Sequence, residues 1–242
     1  MTLIAAVRSV VTYVAMLLYI AVVGPLGLII VIVFKWKRGL YALGHVGVQL
    51  ALSLAGIRYR VTGRDHVPPA AVVFCSNHES NVDPPVLFRA LHPQLHILYK
   101  AELHKFPIMG AVLDVGGYVP IDRENRERAM ESIARGAESL RAGNSFLIFP
   151  EGTRSRTGHL LPFKKGGFIM AIQAQVPVVP VAVQGGRAAM RKGSTIVRPV
   201  HVSVRIGEPI PTKGLTVDDR DILIERVRGA IRGMLDQGTV WT

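Results

Sequence analysis

The feature that most constrains this chain is a run without one charged side chain, from Ser9 to Phe34. Its 26 residues would make a helix roughly 39 Å long, against about 30 Å for the hydrocarbon core of a bilayer. The whole chain has 242 residues, enough for one domain with a real core and little more. A segment this long and this free of polar faces therefore reads as membrane-associating. A secretory leader fits poorly. The run is too long, and no small-residue cleavage site precedes the next apolar stretch.

Two details shape the expectation for this segment. Gly24-Pro25-Leu26-Gly27 should kink or break the helix. A weaker apolar stretch, Leu40 to Ile57, follows the basic knot Lys35-Trp36-Lys37-Arg38-Gly39. Arg8 before the run and this knot after it leave no clear charge asymmetry, as a simple span usually has. Trp36 and Tyr41 suit headgroup depth, where the knot can also snorkel. The preferred reading is a helical hairpin that dips into the bilayer from one side, with a single span as the alternative. Residues 1–56 form this membrane-associating part, and 57–242 the remainder.

Charge and composition narrow the partners. Lys and Arg number 29 against 17 Asp and Glu, giving +12. Such a balance favours an anionic partner. Nucleic acid is not expected, because aromatics are only 7% and the basic residues are scattered rather than interleaved with them. A single cysteine, Cys75, excludes an internal disulfide and any multi-thiolate metal site.

From Ile57 the texture changes to short apolar runs between helical stretches. Ile57–Gly63, Ala71–Cys75, His96–Tyr99, Tyr118–Ile121, Ser145–Phe149, Val178–Val183 and His201–Ile206 read as strands. Several are almost continuously apolar, as strands covered on both faces are. Pro84–Leu91, Arg123–Ala142 and Lys165–Gln175 read as helices. So does Asp218–Gln237, with Ile222, Val227, Ile231 and Leu235 on one face. The alternation predicts an α/β fold: a largely parallel central sheet flanked by helices, preceded by the hydrophobic hairpin.

Three constellations carry chemistry. Ser76-Asn77-His78-Glu79-Ser80-Asn81-Val82-Asp83-Pro84 follows a strand directly. Asp83 before Pro84 is a good helix start, with the carboxylate as N-cap. The same carboxylate can fold back on His78, fix its tautomer and leave the other ring nitrogen as a proton acceptor. The plain alternative is a capping Asp near a surface histidine. Phe149-Pro150-Glu151-Gly152-Thr153-Arg154-Ser155 follows another strand and offers a guanidinium, hydroxyls and glycine-exposed N–H groups, the parts of a phosphate cradle. A turn with a surface Arg is its alternative. Lys100 at a strand end and Arg123 past the next strand either converge on one anion or sit in water.

His78-x4-Asp83, the Phe149–Arg154 loop, the Lys100–Arg123 block and the apolar strand Val176–Val183 stand in the order seen in the glycerolipid acyltransferases. Over about Ile57 to Gly207 the chain closely resembles the bacterial 1-acylglycerol-3-phosphate acyltransferases. The resemblance implies transfer of an acyl group from acyl-CoA or acyl-acyl carrier protein to the 2-hydroxyl of lysophosphatidic acid, giving phosphatidic acid. Another lysolipid or glycerol 3-phosphate as acceptor, or a non-catalytic lipid-binding protein, are the alternatives. It implies His78 as general base and Asp83 as its orienting carboxylate. Glu151, Gly152, Thr153 and Arg154 become the acceptor-phosphate loop, with Lys100 and Arg123 as further phosphate contacts. No metal or cofactor is implied. The expected location is the inner (cytoplasmic) membrane, with the active site on its cytoplasmic face.

Overall fold

The computed structural model describes residues 2–122, 125–190 and 193–241, apart from the side chains of Thr2, Lys100, Pro107, Ile108 and Arg126. Two antiparallel helices come first, α1 (Thr2–Phe34) and α2 (Lys37–Ala55), joined at Lys35-Trp36. Pro25 sits inside α1 and does not break it. A proline removes one intrahelical hydrogen bond, which the flanking apolar turns tolerate. Small residues let the pair close up. Gly47 lies under the Tyr19 ring and Gly27 under Leu40, and Tyr19 donates its hydroxyl to the Leu43 carbonyl at 2.8 Å. The expected hairpin is therefore present.

The remainder is an α/β body. Its strands are β1 (Ile57–Thr62), β2 (Val73–Ser76), β3 (Leu95–Lys100), β4 (Val119–Ile121), β5 (Ser145–Ile148), β6 (Val178–Gln184) and β7 (Val200–Ile206). Its helices are α3 (Asp83–Ala90), α4 (Pro107–Gly116), α5 (Arg126–Arg141), α6 (Gly166–Ala174), the short α7 (Gly186–Ala189) and α8 (Arg220–Asp236). The sheet runs β1-β7-β6-β2-β5-β3-β4. All neighbours are parallel except β6 and β7, so β1 and β7 run against the other five strands. The carboxyl ends of β2, β3 and β5 lie side by side, and the amino ends of β1 and β7 lie at that same end of the sheet.

The period of two along β2 divides the core. Val72 and Phe74 pack with Leu52 of α2 and Val86 and Leu87 of α3 on one face. Val73 and Cys75 pack with Leu140 of α5, Phe168 of α6 and Ile231 of α8 on the other. Besides the uninterrupted α1, three points of the sequence reading need correction. Helix α4 was not foreseen. The buried stripe of α8 is Leu223, Ile224, Val227 and Ile231, while Ile222 is exposed; the expected face was one position out of register at its start. Asp83 opens α3 without capping it, because its carboxylate turns back onto the preceding loop.

Candidate active site

The loop between β2 and α3 is built around the Asp83 carboxylate, which is fully buried. Its Oδ2 accepts the backbone N–H groups of Glu79 at 2.6 Å and Ser80 at 2.7 Å. The same oxygen stands 3.0 Å from Nδ1 of His78. An oxygen already accepting two N–H groups acts as an acceptor toward the ring too, so Nδ1 carries the proton and Nε2 keeps its lone pair. The imidazole stacks on Phe149 from the end of β5, ring centres 4.2 Å apart. Ring orientation is thus set from both its edge and its face, and 15% of the side chain remains accessible.

Asp83 Oδ1 has no hydrogen-bond partner among the described residues. It faces Gly186, the first residue of α7, where an added Cβ would overlap it. Asn77 ties the loop to β6 by a two-way bond with the Val183 backbone, 2.8 Å in each direction. Ser80 donates its hydroxyl to the Met190 carbonyl at 2.9 Å. None of Asn77, Ser80 or Gly186 stood out in the sequence as a site residue. Their partners lie more than a hundred positions away, and only the signal of an Asn between a strand and His78 was available.

The second loop, after β5, is bound to the first. Glu151 is almost fully buried, and its carboxylate accepts the His78 N–H at 2.8 Å and the Leu161 N–H at 2.9 Å. The Ser155 N–H donates to the His78 carbonyl at 2.8 Å. Glu151 therefore forms a strut between the two loops. Burial pushes its pKa up, opposed by the two N–H donors. Neighbouring Glu79 is pushed up to about 7, first by burial and then by the Asp83 charge, against the Arg187 N–H.

Gly152 has φ +67°, a left-handed conformation that favours glycine. The Lys164 side chain lies against it, within about 3 Å of where a Cβ would stand. Lys164 itself is anchored by its N–H to the Pro150 carbonyl at 2.8 Å. So an exposed ammonium that the sequence reading missed joins the loop carrying Thr153 and Arg154. Arg154 is half-buried. Lys100 ends β3, directly opposite Ile121 of β4, which puts its backbone at the same sheet end as the two loops. Arg123 lies outside the described residues. No group of three or more His, Cys, Asp and Glu suited to a metal ion occurs among the described residues.

Beneath the hairpin lies a separate, nearly wholly apolar cavity of about 150 Å³, partly open to the outside. Tyr19 and Val23 of α1, Leu43 and Gly44 of α2, Phe88 of α3 and Val112 of α4 contribute to its walls.

Comparison with known proteins agrees with this architecture. The Acyltransferase family model matches residues 58–184, which include both loops. A 1-acyl-sn-glycerol-3-phosphate acyltransferase from Limnanthes douglasii is 34% identical over 206 residues, covering 83% of this chain and 73% of that protein. The human 1-acyl-sn-glycerol-3-phosphate acyltransferase alpha is 36% identical over 177 residues, covering 72% of this chain and 62% of the human one. The crystal structure of the 1-acyl-sn-glycerophosphate acyltransferase PlsC from Thermotoga maritima superposes along the full length of both chains with a TM-score of 0.84, at 24% identity. That likeness shows a shared fold, hairpin included. With two loops joined through His78 and Glu151, and relatives this similar over this much of the sequence, the chain belongs to the acyltransferase family.

Proposed function

We propose that the protein transfers a fatty acyl group from a thioester to the 2-hydroxyl of a 1-acylglycerol 3-phosphate, giving phosphatidic acid, with His78 as general base. The observation that carries this reading is the His78–Asp83 pair. One carboxylate oxygen, held by two backbone N–H groups, holds the ring in the tautomer that a base needs.

An aliphatic hydroxyl is a poor nucleophile at neutral pH and requires a base within hydrogen-bond reach. His78 Nε2 takes the proton as the hydroxyl oxygen attacks the thioester carbonyl. Asp83 stabilises the imidazolium that forms. The tetrahedral adduct then collapses, breaking the C–S bond. The thiolate leaves, and the proton on His78 can neutralise it. The substrate supplies the nucleophile, so no protein side chain need be acylated. Buried Cys75 fits that economy, since burial raises its thiol pKa well above the ordinary value and leaves it unreactive.

Arg154 and Lys164, with Lys100 and Arg123 as sequence-based candidates, would grip the acceptor phosphate and hold its hydroxyl against His78. Such positioning can lower a barrier by several kcal/mol. The apolar cavity beneath the hairpin supports a place for an acyl chain, shielded from water at about 0.8 kcal/mol per CH₂. α1 supports a membrane seat. Its apolar window is only 11% buried within the molecule, and Leu17, Leu18, Val22 and Phe34 are all exposed. Because α1 is paired along α2 and tied to the body at Ser9 and Tyr13, immersion in one leaflet fits better than a span. The active site then opens toward the cytoplasmic headgroup layer.

The test is an acceptor and donor panel on purified protein in detergent, read by mass spectrometry. Lysophosphatidic acid, glycerol 3-phosphate and other lysolipids are each offered with acyl-CoA and with acyl-acyl carrier protein, beside each thioester alone. Phosphatidic acid from lysophosphatidic acid supports the assignment and reports the donor. Turnover only with another acceptor, or thioester hydrolysis without transfer, rejects it.

A further inference from the structure

At the open end of the hairpin, away from both loops of the candidate active site, three elements bring basic side chains into one cleft. Arg8 comes from α1, Arg58 from β1 and His201 from β7, with Gln49 and Ser53 of α2 on the opposite wall. The cleft is open, with a volume of about 770 Å³, and no Asp or Glu lines it. Neither guanidinium has an ion-pair partner among the described residues. Two residues along the same edge strand, Arg60 lies over the Trp241 ring at 4.4 Å, and Trp241 stacks on His201 at 4.2 Å. Like charges gathered without a counter-charge repel one another, and an external anion relieves that repulsion.

The surroundings say which anion. Arg8 stands on α1 among the exposed apolar side chains Ile4, Val7 and Val11. These are one turn or less away, on the face that meets lipid in the reading above. A guanidinium there reaches to headgroup depth while its stem lies along the apolar surface. The facing donors Gln49 and Ser53 are exposed and uncharged. Together these suit a phosphodiester held at an interface.

We propose that this cleft binds the phosphate headgroup of an anionic membrane phospholipid, at a site separate from the catalytic loops. The inference rests on the membrane seat proposed for α1. Its role is to favour anionic leaflets and to fix how the body sits on them, since the cleft lies at the same end of the sheet as the His78 loop.

The experiment uses the full chain with vesicles of phosphatidylcholine alone and of phosphatidylcholine with phosphatidylglycerol, read by flotation. A basic residue near an anionic surface is worth about a fivefold change in partitioning. The wild type should prefer the anionic vesicles, and Arg8→Gln with Arg58→Gln should cut that preference roughly twentyfold while leaving binding to neutral vesicles alone. Arg58→Gln by itself, a surface change that spares the hairpin, should cut it about fivefold. Arg226→Gln with Arg232→Gln on α8 removes the same charge elsewhere and should change little. An equal loss in that control, or an undiminished preference in the cleft variants, overturns the proposal. So does millimolar binding of inorganic phosphate in micelles that depends on Arg8 and Arg58, which would mark a site for a free anion. Acyl transfer is measured separately in micelles, where no bilayer exists, so a failure of the enzymatic assignment shows there and not in the flotation.

Discussion

The Asp83 carboxylate uses one oxygen for three donors and leaves the other against a glycine. That division makes Gly186 a positioning residue. Its backbone is helical, and an added Cβ would meet first the Asp83 carboxylate and then, at 3.2 Å, the Ser80 Cβ. Gly186→Ala should push the carboxylate off His78 and lower kcat by about tenfold or more, since small misplacements are expensive in catalysis. KM should hardly change. An active variant with unaltered kcat would contradict the geometry. Glu79 makes a different prediction. Its folded-state pKa is raised, so the stability it contributes is complete below the ordinary carboxylate pKa and is lost as pH rises through about 7. The span corresponds to on the order of 3 kcal/mol. Glu79→Gln should remove that part of the pH dependence in chemical denaturation between pH 5 and 8, and a parallel decline in both proteins would contradict it. His78 and Asp83 were legible in the sequence because their relation is local. Gly186, Asn77 and Lys164 were not, because each matters through a contact made only after the sheet has formed.

The central strands were legible as apolar runs, β1 and β7 as alternating ones, and each expected helix as a period, because burial on two faces or one leaves those patterns. The failures are equally physical. Phe106–Gly116 was read as part of a basic block, and its apolar content went unassigned, though Pro107 at the first turn and Gly117 as left-handed cap frame α4. In α8, Ile222 precedes the true stripe by one residue, a distinction that the sequence leaves to packing. Gly24-Pro25 was expected to interrupt α1 and does not. The apolar cavity where α1 and α2 meet α3 and α4 is the element-scale feature with the clearest consequence. Gly44 lines it, and a Cβ there would stand 3.7 Å from the Phe88 ring. Gly44→Leu should fill the cavity and shorten the longest acyl chain accepted, measured by competition among thioesters or acceptors of increasing length. An unchanged chain preference would place the acyl group elsewhere.

At the scale of the whole molecule, the reversal of β1 and β7 is what joins membrane part and active site. Running against the other five strands, they begin at the end where the His78 loop emerges, so the hairpin that leads into β1 reaches that end too. The pattern of apolar residues is the same for either strand direction, and this feature could not be read from the sequence. If the exposed face of α1 is the membrane contact, Leu18→Glu with Val22→Glu, both on that face, should move the protein from the sedimenting membrane fraction into the soluble one with its fold intact. Retention in the membrane would assign attachment to another surface.

The central claim is that His78, oriented by Asp83, is the base. The direct measurement is single-turnover acyl transfer to lysophosphatidic acid by wild type and His78→Ala, with circular dichroism confirming that both are folded. The account predicts a loss of about a hundredfold or more, the usual range for removing a general base. A folded His78→Ala protein that transfers at the wild-type rate would contradict it.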